Sequence, residues 1–185
     1  MGFQECEDET RVLNNAGMGG QYGLLDFKPK WKTTAICIAW RLAAWDMLEN
    51  GQDWVAEDSP GSYFGKRAVQ WIRAKHKQTG RTVFFMNHHG PLGVGTGGRC
   101  GGAVTAFKIM SQIVQHSKPG DAVILVGDFN AVPDSEEIKK LKQRMLDIYT
   151  GSKDGGIDHV FTNLPGSALA APANLGGAGS DHDAI

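Results

Sequence analysis

Apolar positions fall into a few dense runs separated by glycine-rich polar stretches. The densest is Ala122–Val126, AVILV, mostly β-branched and unbroken, which predicts a strand buried on both faces. Gly127 ends it, and Asp128, Phe129 and Asn130 follow. Residues two apart on an extended chain share a side, so Asp128 and Asn130 point at one spot while Phe129 packs behind them. The same two residues also suit a plain turn. TAICIAW, Thr34–Trp40, predicts a second strand, and Ile157–Thr162 another. Arg67–Lys75 and Arg81–Met86 predict two strands joined at Gln78-Thr79-Gly80. Asp46–Pro60 mixes acids, Gly and Pro and reads as a loop with a short strand.

Helical periods occupy two stretches. From Ala103 to His116, the residues Ala103, Ala106, Phe107, Met110, Ile113 and Val114 recur at three- and four-residue steps and predict one buried face. Lys118-Pro119-Gly120 stops that helix. Asp134 with Glu137 three residues on predicts a capping box, and Ile138, Leu141, Met145 and Ile148 a buried stripe. Asn14–Gly23, Asn87–Gly102 and Gly166–Gly179 read as loops. Strands and helices alternate without a strict βαβ rhythm, so mixed sheets flanked by helices fit better than a doubly wound sheet.

The chain has 185 residues, suited to one domain spanning 1–185, and 41% of them are hydrophobic, enough to bury a core. A formal net charge of −1 supplies no global field for a polyanion. The stretch Lys66–Arg81, with Lys66, Arg67, Arg73, Lys75, Lys77, Arg81 and no acid, reads either as a phosphate-facing strip or as a solvated strand and turn. Cys6, Cys37 and Cys100 form no CxxC, which argues against zinc. One disulfide would leave one thiol over, so the redox compartment stays open. The acidic start MGFQECEDET is not a signal peptide or a myristoylation signal, and no run approaches membrane-spanning length. The reading is a soluble protein of undecided localisation and oligomeric state.

Four polar groups sit at strand-to-loop boundaries: Asn87-His88-His89, Asp128-Phe129-Asn130, Asp158-His159 and Asp181-His182. Together with Gln4-Glu5-Cys6 they occur as QEC, NHH, GDFN, IDHVF and SDH, in that order. On these motifs the chain resembles the endonuclease/exonuclease/phosphatase superfamily over nearly its whole length, with Trp40–Gly65 matching only loosely. The resemblance implies an α/β fold, a four-layer sandwich of two mixed β-sheets flanked by helices, with a metal-dependent phosphoesterase site at one end.

Residue by residue, Glu5 matches a metal-binding glutamate and Asp181 a second metal or water ligand. Asp128 matches the aspartate that orients or deprotonates the attacking water, and Asn130 its partner. His89 matches a histidine for phosphate binding or leaving-group protonation. Asp158 matches the acid that pairs with the last histidine, and His182 the histidine at the phosphoryl oxygen. Arg67 and Asn87 match substrate-phosphate positions. His88 replaces the usual Thr and is either an added ligand or neutral. Thr34 stands near where some members carry a glutamate supporting the first histidine. The family pattern also has strands before Glu5 and after His182, so the chain reads as trimmed at both ends.

The expected cofactor is Mg²⁺, with Mn²⁺ or Ca²⁺ as substitutes, because a divalent cation neutralises the charge that repels hydroxide from a phosphodiester. The expected activity is phosphodiester hydrolysis. Nucleic acid is the leading partner class, on the strength of the basic strip alone. The alternatives are a phosphomonoesterase or lipid- or inositol-phosphate hydrolase, favoured by an apolar rim such as Trp31, Leu92 and Val94, and a truncated inactive phosphate-binding domain.

Overall fold

The computed structural model describes residues 1–27, 34–177 and 179–185. Trp31 lies outside them. Strands β1 (Gly2–Phe3), β2 (Tyr22–Asp26) and β3 (Cys37–Arg41) form a three-stranded sheet in the order β1-β3-β2, antiparallel throughout. Strands β4 (Trp45–Glu57), β5 (Lys66–His76), β6 (Thr82–His89), β7 (Ala122–Asp128), β8 (Leu146–Thr150) and β9 (Asp158–Thr162) form a six-stranded sheet. Its order is β4-β5-β6-β7-β9-β8, and β6 pairs with β7 in parallel. Helices α1 (Glu9–Asn15), α2 (Gly102–His116) and α3 (Glu136–Lys142) complete the four-layer sandwich, α1 beside β2 and α2 against α3 on the large sheet. Among the described residues no helix is long and apolar enough to cross a membrane.

A parallel pair needs a crossover, and α2 is that crossover between β6 and β7. The helix seals one face of the large sheet. Val69, Trp71, Phe84, Met86, Val123 and Leu125 of the sheet pack with Ala106, Ile109, Ile113, Ile138 and Leu141 of the helices. Each such Val, Leu, Ile, Phe or Met side chain, taken from water, contributes roughly 1.5–3 kcal/mol. On the other face β7 is covered less completely than its sequence predicts. Ile124 and Val126 are only half-buried, because a three-stranded sheet cannot span six strands, and they line cavities of about 360 and 420 Å³ between the sheets.

Three local expectations are corrected. Trp45–Glu57 is a 13-residue strand, not a loop. It pairs with β5 along its length across two bulges, and its acids and Gly51 sit on a sheet edge, where charge discourages further pairing. The buried face of α2 is Gly102, Thr105, Ala106, Ile109 and Ile113, whereas Phe107 and Val114 are 71% and 74% exposed. The Thr105 hydroxyl donates to Gly97 O and Gly101 O, which lets a polar residue face inward and turns the helix away from the apolar stripe. Helix α3 is capped by Ser135, whose hydroxyl accepts from the Ile138 amide, while Asp134 points to solvent toward Lys139. That helix ends at Lys142, so Ile148 belongs to β8.

Candidate active site

The candidate residues gather because three neighbouring strands end at the same edge of the large sheet. In register, His89 on β6 lies beside Asp128 on β7, and Asp128 lies beside Asp158 on β9. Gly90 holds this edge together by donating to Asp128 O at 2.7 Å. A Cβ on Gly90 would meet Phe129 O at 1.8 Å, so only glycine permits the approach. Phe129 is fully buried and packs edge-on against His88, His159 and Phe161. Asn130 adopts a left-handed φ of 47°, a conformation Asn tolerates better than most side chains. Its backbone N–H donates to Asp128 Oδ1 at 2.8 Å and its side-chain amide to Gly90 O at 3.2 Å.

His182 enters from the last segment of the chain. Its Nδ1 lies 3.0 and 2.9 Å from the two oxygens of Asp158, and its Nε2 faces Asp128 Oδ2 at 3.9 Å. Burial disfavours the charged ring, but the hydrogen bond to Asp158 and the carboxylates of Asp158, Asp128 and Asp181 outweigh it, so the His182 pKa is raised. Asp128 is 8% exposed. Burial pushes its carboxyl up to about 6, with the Asp158 charge adding to the rise and the Asn130 amide, His182 and His88 opposing it. Asp128, Asp158 and His182 place ligand atoms all within 4.8 Å of one another, the one such group among the described residues. Two carboxylates beside a pinned imidazole are an oxygen-rich set that fits a hard divalent cation.

His89 is nearly buried beside this group, its Nε2 3.4 Å from Arg67 Nη1 and 3.7 Å from Asp128 Oδ2, with Nδ1 lacking a hydrogen-bond partner. Burial, helped by the charges of Arg67, His88 and His182 and opposed by Asp58, pushes its pKa down to about 3. A neutral ring at pH 7 weighs against His89 as the proton donor to a leaving group. The behaviour has a measurable sign. The unfolded chain takes up a proton near 6.5 and the folded one only near 3, so this group's stabilising contribution is full above 6.5 and is lost as pH falls toward 3. Asp128, raised, acts oppositely between about 6 and its ordinary 3.8. Urea unfolding at pH 7 and pH 4 therefore shows His89→Gln gaining on the wild type, by about 1–3 kcal/mol, as pH falls; a constant difference would refute the buried neutral ring.

Arg67 is not an open phosphate contact. It is 3% exposed and binds the fully buried Asp58 through Nε at 2.7 Å and Nη2 at 3.3 Å. Asp58 also accepts from the backbone N–H groups of Phe64, Gly65 and Leu92. Burial raises its pKa, but Arg67 and the Leu92 and Phe64 amides prevail and lower it. Sequence reasoning missed Asp58, which in Glu57-Asp58-Ser59-Pro60 looks like a turn acid; an acid nine residues before an arginine that opens a predicted strand was the available signal. The rest of the basic strip is largely engaged too. Arg73 pairs with Asp121 and Glu49, Lys77 with Asp46, and Lys66 lies over the Trp54 ring. The stretch is not an open phosphate-facing strip, nor is it a solvated strand, because β5 is buried from Arg67 to Ile72.

Asn87 is also corrected. It is fully buried, donates to Phe3 O and Cys37 O, and accepts from Gln4 Nε2, so its amide fastens the two sheets and is not free for phosphate. His88 is neither exposed nor in the cleft. Its Nδ1 meets Ala68 O and its Nε2 faces Glu137 at 3.7 Å on the helix side of the sheet. The two expected metal ligands, Glu5 and Asp181, are not part of the assembled group. Asp181 is exposed and paired with Lys153 at 3.3 Å, which lowers its pKa. Glu5 is exposed just after β1 with a left-handed φ of 53°. Its neighbour Gln4 lines the 420 Å³ cavity together with Asp158, Ser180 and His182.

The model of the Endonuclease/Exonuclease/phosphatase family matches residues 1–182. The chain belongs to this family. Its solved relatives include a mannosyl-6-phosphatase from Bacteroides thetaiotaomicron VPI-5482, 20% identical, covering 87% of this chain and 69% of its own, with a TM-score of 0.67. TDP2 from D. rerio, solved with a single-strand DNA product, is 14% identical and covers 98% and 82%, with a TM-score of 0.66. The human Nocturnin catalytic domain, with bound sulfate, is 12% identical and covers 84% and 64%, with a TM-score of 0.55. At these identities the likeness establishes the shared sandwich. The chain spans about two thirds of the length of the first and third. No curated protein matches the sequence. The strand-end edge at His89, Asp128 and Asp158 is thus the candidate active site of a family fold whose members are hydrolytic phosphoesterases.

Proposed function

We propose that this chain hydrolyses phosphate esters with the help of a divalent cation, and that phosphodiesters are its leading substrates. The observation that carries the reading is the Asp128–Asp158–His182 group, an acid pair and a histidine meeting at one sheet edge. A bound Mg²⁺, or Mn²⁺ or Ca²⁺ in its place, would neutralise phosphoryl charge. Asp128 and Asp158 offer it oxygens, and Glu5 and Asp181 are further candidates by motif.

The chain's own residues do the rest. Asp128 orients the attacking water and accepts its proton. His182, held by Asp158 and favoured in its charged form, donates a hydrogen bond to a phosphoryl oxygen. Asn130 sets the Asp128 carboxylate through its N–H. His89 offers a neutral ring held by Arg67. With Arg67, Arg73 and Lys77 in ion pairs and Lys66 over the Trp54 ring, the strip gives nucleic acid weaker support, and small phosphodiesters and phosphomonoesters stand beside it. The solved relatives, a mannosyl-6-phosphatase and a protein in complex with a single-strand DNA product, span the same range.

Three substrates separate these readings in Mg²⁺ with a chelator blank: supercoiled plasmid DNA, bis-p-nitrophenyl phosphate and p-nitrophenyl phosphate. Chelator-sensitive turnover of the diester above the monoester supports the proposal, and plasmid nicking adds nucleic acid. Turnover of the monoester alone replaces diesters with monoesters. No turnover of any of them by folded protein rejects catalysis and leaves a phosphate-binding domain.

A further inference from the structure

The QEC motif holds a residue the chemistry above does not use. Cys6 is 4% exposed and Cys37, on β3, is 1% exposed, and the Cys37 thiol donates to the Cys6 sulfur at 2.8 Å. Two thiols so placed in a buried seam between chain segments 31 residues apart are positioned for oxidation to a disulfide. The seam matters because it carries Glu5. The segment before Cys6 is tied down by a two-residue strand pairing Phe3 with Cys37 and Gly2 with Ile38, by the Asn87 bonds to Phe3 O and Gln4, and by the Cys6 amide donating to Ala35 O at 2.6 Å. Glu5 itself stands in a left-handed conformation between those ties, which a non-glycine residue keeps only when its flanks are held.

We propose that Cys6 and Cys37 are a redox-closed clamp whose disulfide fixes the Glu5 segment onto β3. A small oxidant suits so buried a pair, and hydrogen peroxide is the one invoked. The Cys6 sulfur, the more accessible, attacks one peroxide oxygen. The O–O bond breaks, and the released hydroxide takes the thiol proton as one water, leaving a sulfenic acid. The Cys37 sulfur then attacks the Cys6 sulfur. The S–O bond breaks, and the departing hydroxide takes the Cys37 proton as a second water. Two thiols and one peroxide become one disulfide and two waters. Closing the loop removes conformational freedom from the unfolded chain and fixes Glu5 next to Gln4, which lines the cavity with Asp158 and His182. This last consequence rests on the reading of Glu5 as a cation ligand.

The test uses the full 185-residue chain with Cys100→Ser, because Cys100 is exposed and would react on its own. After peroxide, non-reducing trypsin digestion and mass spectrometry are expected to join peptides 1–11 and 33–41 with the loss of two hydrogens. The cross-linked form should melt roughly 10 °C higher than the dithiothreitol-reduced form and bind Mg²⁺ about fivefold or more tightly by calorimetry. Adding Cys6→Ser or Cys37→Ser should abolish all three responses.

No joined peptide from protein that circular dichroism shows to be folded overturns the proposal. A joined peptide with unchanged melting and unchanged Mg²⁺ affinity overturns the clamp. Glu5→Gln separates this proposal from the catalytic reading. If that variant binds Mg²⁺ as the parent does, Glu5 is not a ligand, while the cross-link and its melting shift still establish the disulfide.

Discussion

Asp128→Ala lowers chelator-sensitive phosphodiester turnover by about 10³-fold or more while leaving the melting temperature within a few degrees of the wild type. The size follows from its position. Asp128 is the central strand end of the three, flanked in register by His89 and Asp158, and removing it takes away both the water's partner and one oxygen of the group that fits a cation. Losses of this order are usual when a group acting on the reacting atoms is removed. The fold is spared because the carboxylate is a burden to it: burial raises its pKa to about 6, so an uncharged side chain relieves a desolvation cost. His182→Ala should fall in the same range, and the double variant should be little worse than either single one, since the two act on one phosphoryl group. The check is steady-state turnover of bis-p-nitrophenyl phosphate beside thermal melts. A variant retaining a tenth of wild-type activity would remove Asp128 from the mechanism.

Asp58→Ala destabilises the protein by about 3–5 kcal/mol, a fall of roughly 10 °C in melting temperature. The side chain is fully buried and accepts from Arg67 and from three backbone amides. Its loss strands the Arg67 guanidinium, itself 3% exposed, without a counter-charge. The amides of Phe64, Gly65 and Leu92 lose their acceptor as well. Breaking one half of such a pair costs far more than replacing both halves, so Asp58→Ala with Arg67→Met should recover at least half of the loss. Turnover should fall too, because Arg67 holds His89 at 3.4 Å. Urea unfolding of the two single variants and the double variant decides the matter. A cost below about 1 kcal/mol for Asp58→Ala would mean that water reaches the pair and screens it.

The placement of the site at strand ends explains why so much of it could be read in one dimension. GDFN ends a strand whose apolar run is unmistakable, and its register neighbours are the ends of two other readable strands. Of the polar residues that stand out at such boundaries, His89, Asp128, Asn130, Asp158 and His182 meet, whereas Asn87, His88 and Asp181 are engaged elsewhere. In the residues displaced from their expected roles, the surroundings override the motif. Asn87 carries the right amide, but its strand faces the small sheet, and Phe3, Gln4 and Cys37 use all of it. Arg67 carries the right charge, but Asp58 reaches it from a segment that reads as loop.

The sequence alone determined the α/β sandwich, strands over Arg67–Lys75, Arg81–Met86 and Ala122–Val126, and the family through five ordered motifs. Those features depend on local periodicity and on short strings, which the chain carries wherever it folds. Tertiary structure decided which face of α2 turns inward, that Trp45–Glu57 is an edge strand, and that Arg67, Arg73 and Lys77 of the basic strip are ion-paired. It also decided that Cys6 meets Cys37 across 31 positions. Each depends on a partner distant in the chain, a Gly97 carbonyl, a neighbouring strand, an opposing carboxylate or a second sulfur, and no local pattern records the identity of such a partner.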